Sequence, residues 1–220
     1  MCSLRSSDVG LMSVSVITIA MMSVTVNTNY DEAMRWEPDS RGRLGAAALE
    51  LFGERGFDDT TVAEIAERAG LTERTFFRHF TDKRDVLFSG AEGLQDLFVS
   101  EVTNAPSTAT PIEAVMAALA AAGALLQEHR DFARQRHAII SASAELRERE
   151  LIKLASLAAA VASALRNRGI PEPTASLTGE VAITVFKVGF ERWVAQSQGQ
   201  TLTQLMRISF DDLKAVTGAQ

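Results

Sequence analysis

Cysteine is almost absent. The single Cys2 among 220 residues rules out an intrachain disulfide and a CxxC metal knuckle, and a reduced, cytoplasmic setting is the simplest reading. Histidine is scarce too, and His129 and His137 stand eight positions apart, a poor spacing for two ligands on one helix face. There is no Ser/His/Asp or Cys/His set, no completed carboxylate pair, no P-loop and no GxGxxG run, which argues against catalysis, a resident metal and a nucleotide cofactor. Stretches that alternate with period two are few, so an extensive sheet is not expected. Positive charge is in deficit: the net charge is −6, and a chain this acidic does not coat nucleic acid through bulk charge. Nucleic-acid contact would require basic residues gathered on one small face. What is present, 46% apolar and 23% charged residues, is the composition of an ordinary globular protein.

Residues 1–38 stand apart. The run 9–26 is moderately apolar but diluted by five serines and threonines, short of the ~20 predominantly apolar residues of a spanning helix. Arg5 makes a weak signal-peptide start, and no small-residue cleavage site follows. The segment reads as a disordered leader or as sequence upstream of a true start at Met34.

From Pro38 onward the pattern is helical. Asp39 or Ser40 caps a first helix with Leu44, Ala48, Leu51 and Phe52 on one side, ended by Gly56. Thr61-x-x-Glu64 has capping-box spacing and opens a short helix with Val62, Ile65, Ala66 and Ala69 inward. Gly70 breaks that helix, Thr72 caps a third, and Thr81-Asp82 starts a fourth that runs to about Val102. Residues 104–111 read as a linker. Beyond it, Ile112, Val115, Met116, Leu119 and Leu126 form one stripe, and another helix starts near Asp131. Leu151, Leu154, Val161 and Leu165 mark a helix stopped by Gly169 and Pro171. A long helix from about Thr174 to Ala195 precedes a last one carrying Leu202, Leu205, Met206, Phe210, Leu213 and Val216. The sign-alternating run 145–150 reads as a solvated, salt-bridged face or a helix junction.

Residues 61–80, TVAEIAERAGLTERTFFRHF, have the logic of a helix-turn-helix. Two short helices meet across Ala69-Gly70-Leu71, where Gly70 supplies a backbone conformation that side chains resist. Ile65, Leu71 and Phe76 are spaced to fill the wedge, and Phe76 and Phe80 fall on its inner side. The second helix projects Glu73, Arg74, Thr75, Phe77, Arg78 and His79, and such a helix fits a major groove ~12 Å wide. Residues 72–84 hold four basic residues against two acidic ones, whereas residues 35–85 hold nine against eleven. Local clustering therefore supports DNA binding and the whole-domain charge does not. Modest phosphate neutralisation per subunit calls for a dimer.

The stretch from Arg43 to Leu87 resembles the DNA-binding domain of TetR-family transcriptional regulators. Ala46, Ala47, Leu49, Leu51, Phe52, Glu54, Gly56 and Phe57 carry the likeness, followed by Thr60-Thr61-Val62, Ile65-Ala66, Ala69-Gly70-Leu71, Thr75-Phe76-Phe77, His79-Phe80 and Lys83. One departure is Phe77, where tyrosine is frequent, so a hydroxyl contact to phosphate is lost. The resemblance implies an all-α fold: an N-terminal three-helix helix-turn-helix domain over 39–85, and a C-terminal helical ligand-binding and dimerisation domain over 86–220. It implies that Thr61 and Lys83 hold phosphates, and that Glu73, Arg74 and Thr75 face base edges from the helix that Thr72 opens. Phe77, Arg78 and His79 would meet backbone or thymine. Arg74 is the candidate for guanine, since its fork suits O6 and N7. Arg41 and Arg43 form either an N-terminal arm or a solvated helix start.

The alanine-rich C-terminal half either packs its helices closely or leaves a cavity. Met116, Leu119, Phe132, Arg136, Ile140, Val185, Phe186 and Trp193 are the candidate lining. An apolar pocket with an arginine suits a lipophilic acid or an acyl-CoA-like effector, and the run Arg134-x-Arg136-His137 is similar to that of actinobacterial members thought to sense such ligands. No other cofactor is implied. The last two helices are expected to pair with their symmetry mates, setting two recognition helices ~34–36 Å apart on a palindromic operator. The function implied is a ligand-responsive repressor acting as a homodimer. A TetR-like activator, an all-helical enzyme and a membrane-associated adaptor anchored by residues 9–26 are the alternatives.

Overall fold

Side-chain caps set most helix starts. In the computed structural model, which describes residues 39–196 and 199–218, the elements are α1 (Ser40–Arg55), α2 (Val62–Arg68), α3 (Glu73–His79), α4 (Lys83–Phe88), α5 (Ala91–Asn104), α6 (Pro111–Gln127), α7 (Arg130–Ala142), α8 (Ala144–Asn167), α9 (Thr174–Ala195) and α10 (Leu202–Thr217). No strand occurs among the described residues. Asp39, Thr61, Thr72, Asp82, Thr110, Ser143 and Thr201 each accept a backbone N–H at the helix they open. Capping boxes form at Thr61/Glu64, Thr110/Glu113 and Thr201/Gln204. The readings made for residues 1–38, including the Met34 start and the run 9–26, lie outside the described residues. No single described helix is long and apolar enough to cross a membrane.

The single fourth helix expected from Thr81 to Val102 is two. Ser89 and Gly90 interrupt it between α4 and α5, and a Ser–Gly pair is a usual site of helix kinking. Apolar spacing ran through the break because Val86, Leu87, Leu94 and Phe98 still face inward on both sides.

Two apolar cores result. One joins α5, α6, α8, α9 and α10 around Phe98, Leu119, Val161, Phe186 and Trp193. At the α9–α10 crossing the backbone of Met206 lies so close to Gly189 that a β-carbon there would stand 3.0 Å from its Cα. The other core fills the N-terminal head around Leu44, Phe52, Ile65, Phe76 and Phe80, and it recruits Phe88 from the end of α4 and Ile139, Ile140 and Leu146 from α7 and α8. Packing therefore runs across the boundary placed at residue 85. Gln135 in α7 also donates to the Leu49 carbonyl of α1 at 3.1 Å.

Gly70 has φ +66°, a left-handed conformation. A side chain there would also crowd the Arg43 guanidinium, which donates to the Ala69 carbonyl at the end of α2. Gly70→Ala will destabilise the fold by about 1–2 kcal/mol, measured as a lowered urea midpoint. An unchanged midpoint would mean that the turn relaxes freely.

Candidate nucleic-acid interface and internal cavity

The wedge between α2 and α3 orients the outer face of α3. Phe76 is fully buried, with its ring centroid 5.3 Å from that of Phe80 and 5.5 Å from that of Phe77. Packing on one side forces the other outward. Thr72, Glu73, Arg74, Phe77 and Arg78 are exposed, while Thr75 and His79 are half-buried. Phe77 leaves 56% of its surface in solvent. Thr72 accepts from the Thr75 amide at 3.2 Å, which stiffens the first turn.

The charges on this face are selective. Arg74 and Arg78 make no ion pair among the described residues, whereas Arg55 pairs with Glu64, Arg68 with Glu50 and Glu54, and Arg84 with Asp82 and Glu145. Three arginines of the head away from α3 are thus paired with carboxylates, and the two on its outer face are not. Arg84, counted in the local basic surplus, belongs to the neutralised group.

Several residues assigned to DNA sit differently. All three Lys83 hydrogen bonds go inward, to the carbonyls of Phe57 (2.7 Å), Asp58 (3.1 Å) and Thr60 (3.0 Å), with the ammonium 4.4 Å from the Phe57 ring centroid. An ammonium has three donors, and in this geometry all three clamp the α1–α2 loop, so a phosphate would have to displace one of these carbonyls. Thr61 does stand at the start of α2, but its amide and hydroxyl both donate to Glu64, at 2.9 and 2.8 Å. Those bonds and nearby Arg55 hold the Glu64 carboxyl below its usual range, so a phosphate would have to displace a stable carboxylate. Arg41 lies over the Phe80 ring and Arg43 reaches Ala69, so neither extends as an arm.

His79 faces α1, where its Nε2 lies 2.7 Å from the Ser40 hydroxyl. Burial, followed by the neighbouring charges of Arg78 and Arg41, lowers its pKa. Because the folded protein holds the ring below its ordinary value, about 6.5, the unfolded chain takes up the proton first as pH falls. The stabilisation is complete above that value and is lost as pH falls below it. Between about pH 7.5 and about pH 5, the urea-unfolding stability of His79→Gln will vary less with pH than that of the native protein. Identical pH dependence would refute the assignment.

The second feature is a cavity of about 460 Å³ bounded by the end of α4, the Ser89–Gly90 break, α5, α7, α8 and α9. Of the expected lining, Phe132, Arg136 and Phe186 are there. Met116 and Leu119 instead line a separate cleft of about 340 Å³ against α10, because that face of α6 points away from α7. Ile140 is consumed by the head core, and Val185 and Trp193 are packed into the other core with no more than 2% exposure. Residues that periodicity missed include His129, His137, Glu150 and Phe190. The two histidines share this cavity, although among the described residues no group of three or more His, Cys, Asp or Glu could hold a metal. Glu150, in the run read as a solvated, salt-bridged face or a helix junction, pairs with Arg136 at 2.9 Å. Only the meeting of α7 with α8 reveals that contact.

Comparison with known proteins bears on both features. Residues 44–89 match the family described as bacterial regulatory proteins, tetR family, and residues 109–218 match the MftR C-terminal domain. TcmR, an HTH-type transcriptional regulator of Streptomyces glaucescens, is 35% identical over 82 residues, 37% of this chain and 36% of its own length. The match thus spans about a third of that relative. MftR of Mycobacterium tuberculosis is 26% identical over 171 residues, 76% of this chain and 86% of its own. The crystal structure of the transcriptional regulator FadR from Bacillus subtilis in complex with stearoyl-CoA aligns with a TM-score of 0.53 at 20% identity, covering 78% of this chain and 96% of that one. That last likeness is one of fold. With a helix-turn-helix head matched by one profile and half of the chain by a second, the protein belongs to the TetR family of bacterial transcriptional regulators.

Proposed function

We propose that the protein is a homodimeric, ligand-responsive repressor that reads a palindromic operator with α3 and senses a small molecule in the cavity between α5, α7, α8 and α9. The observation that carries this reading is the outer face of α3, where Arg74, Phe77 and Arg78 are exposed and neither arginine makes an ion pair among the described residues, while Arg55, Arg68 and Arg84 elsewhere in the head are paired with carboxylates. Arg74 is assigned to base edges, with Glu73 and Thr75 beside it. Thr72, Phe77 and Arg78 are assigned to backbone or thymine, and Thr61 to phosphate once Glu64 yields. The division of labour is residues 39–85 for DNA and 86–220 for ligand and partner, in a cytoplasmic protein without catalytic activity.

Dimerisation is assigned to α9 and α10. Much of the apolar surface of α9 is used within the monomer, by Val185, Phe186 and Trp193. Leu177, Val181, Thr184 and Val188 nonetheless form an exposed to half-buried row at three- and four-residue spacing, and Val216 on α10 is 85% exposed. Pairing these faces with a second copy would make a four-helix bundle.

Selection of bound sequences from random duplex DNA by the purified full chain tests the reading. A palindromic motif with half-sites about one helical turn apart is expected, together with dimeric mass by light scattering. A non-palindromic motif, or no enrichment, would refute it.

A further inference from the structure

One flank of α9 carries two charges that find no partner within the monomer. The row Leu177, Val181, Thr184 and Val188 lies outside both cores, and Leu177 leaves 63% of its surface in solvent. Beside that row stand Glu180 and Lys187, both exposed and neither in an ion pair among the described residues. A spacing of seven residues is close to two helical turns, so the two charges lie one above the other on the same flank. The opposite flank is covered by α10, where Gly189 meets Met206 and Arg192 pairs with Asp212 at 2.8 Å. Lys187 also borders the cavity and Glu180 does not. A role for Lys187 confined to the cavity would therefore need no reciprocal at Glu180.

Twofold symmetry makes such a flank self-complementary. In an isologous interface residue i meets residue j and j meets i. When two copies of one helix pair antiparallel, the same flank of each faces the same side, and positions equally far above and below the axis come level. The level midway between Glu180 and Lys187 falls beside Thr184, close to the middle of the 22-residue α9 (Thr174–Ala195). An axis there sets Glu180 of each copy level with Lys187 of the other and overlaps the two helices along nearly their whole length. Thr184 then lies beside its own copy, where a hydroxyl both donates and accepts, and Val188 enters between Leu177 and Val181 opposite. Glu191 comes level with Ser176, so no like charges meet on that flank. Parallel pairing would put the charged flanks on opposite sides and leave all four charges unpaired. We propose that α9 pairs antiparallel with α9 of a second copy about an axis at Thr184, and that two Glu180–Lys187 ion pairs fix this register and select a copy of the same chain as partner. The proposal rests on the dimer assigned above and specifies its register and its selectivity.

Charge reversal in the full chain tests it, with dimer dissociation followed by analytical ultracentrifugation at low salt. Glu180→Lys sets lysines level with each other at both ends of the contact, and Lys187→Glu does the same with carboxylates. Each variant alone is expected to dissociate about tenfold or more readily than the native protein, because two exposed pairs are lost and like charges replace them. Mixed one to one, the two variants should form a heterodimer of near-native affinity, since both opposite-charge pairs are then re-formed across the axis. The double variant E180K/K187E should regain the native self-affinity for the same reason. Thr184→Cys in a Cys2→Ser background should cross-link to itself on oxidation, whereas Leu177→Cys, which this register holds roughly 20 Å from its own copy, should not. Single variants that dimerise as tightly as the native chain, a mixture no tighter than its components, or self-linking at Leu177 and not at Thr184 would each overturn the proposal and leave the dimer standing. Weakening by Lys187→Glu alone, with no effect of Glu180→Lys, would overturn it too and assign Lys187 to the cavity. A native chain that stays monomeric at every concentration would sink the dimer itself.

Discussion

Arg74→Ala will weaken operator binding by about tenfold or more at each half-site and relax the base preference at one position of each half. The magnitude follows from what the side chain does in the free protein, which is to stand exposed without an ion pair among the described residues. Its removal costs the fold little, because exposed helix substitutions away from caps and pairs usually stay within about 0.5 kcal/mol. In the complex, a guanidinium on guanine makes two parallel hydrogen bonds that no alanine replaces, worth ~1–3 kcal/mol of discrimination. Two copies act on the two halves of a palindrome, so the losses compound in the dimer. Repeating the site selection with the variant measures both effects. If every position kept its preference, Arg74 would be a phosphate contact, and base reading would lie with Glu73 or Thr75.

Lys83→Met will unfold the head more readily, by roughly 2–4 kcal/mol, and leave the salt dependence of DNA binding unchanged. Methionine keeps an unbranched apolar stem, so the loss is that of the ammonium. Three carbonyls in the α1–α2 loop lose their shared donor, and each hydrogen bond to a charged group is worth about 1.5–3 kcal/mol, less than additively. The contact with the Phe57 ring is lost as well. Urea denaturation reads the stability. The slope of log affinity against log salt reads the phosphates, at about 0.9 per contact. A native-like urea midpoint with a slope reduced by that amount per subunit would restore Lys83 to the phosphate role implied by the family likeness.

The helix-turn-helix was legible because its signals are local. Thr61-x-x-Glu64 is a capping box in the sequence and in the fold, Gly70 is left-handed, and Phe76 and Phe80 are buried while Phe77 is not. Each depends on residues within one or two turns. The break at Ser89–Gly90 was equally local in cause, but an inward-facing stripe on both sides concealed it. The loop contacts of Lys83 were hidden for the opposite reason: its three acceptors lie 23 to 26 residues earlier in the chain.

The cavity was legible only in kind. Periodicity marked Phe132, Arg136 and Phe186 as inward, and marked Ile140, Val185 and Trp193 no differently. A helical stripe states which residues leave water. It does not state whether they meet a neighbouring helix or an empty space.

What the sequence determined alone was therefore the set of helices, most of their caps and the outward row on α3, all of which follow from interactions within a few residues. Only the tertiary structure decided that Lys83 closes a loop, that Ile139 and Ile140 complete the head core, and that Arg136 in the cavity wall pairs with Glu150. Those outcomes depend on which helices come to lie side by side, and that choice is made by the joint packing of whole faces rather than by any residue's immediate neighbours.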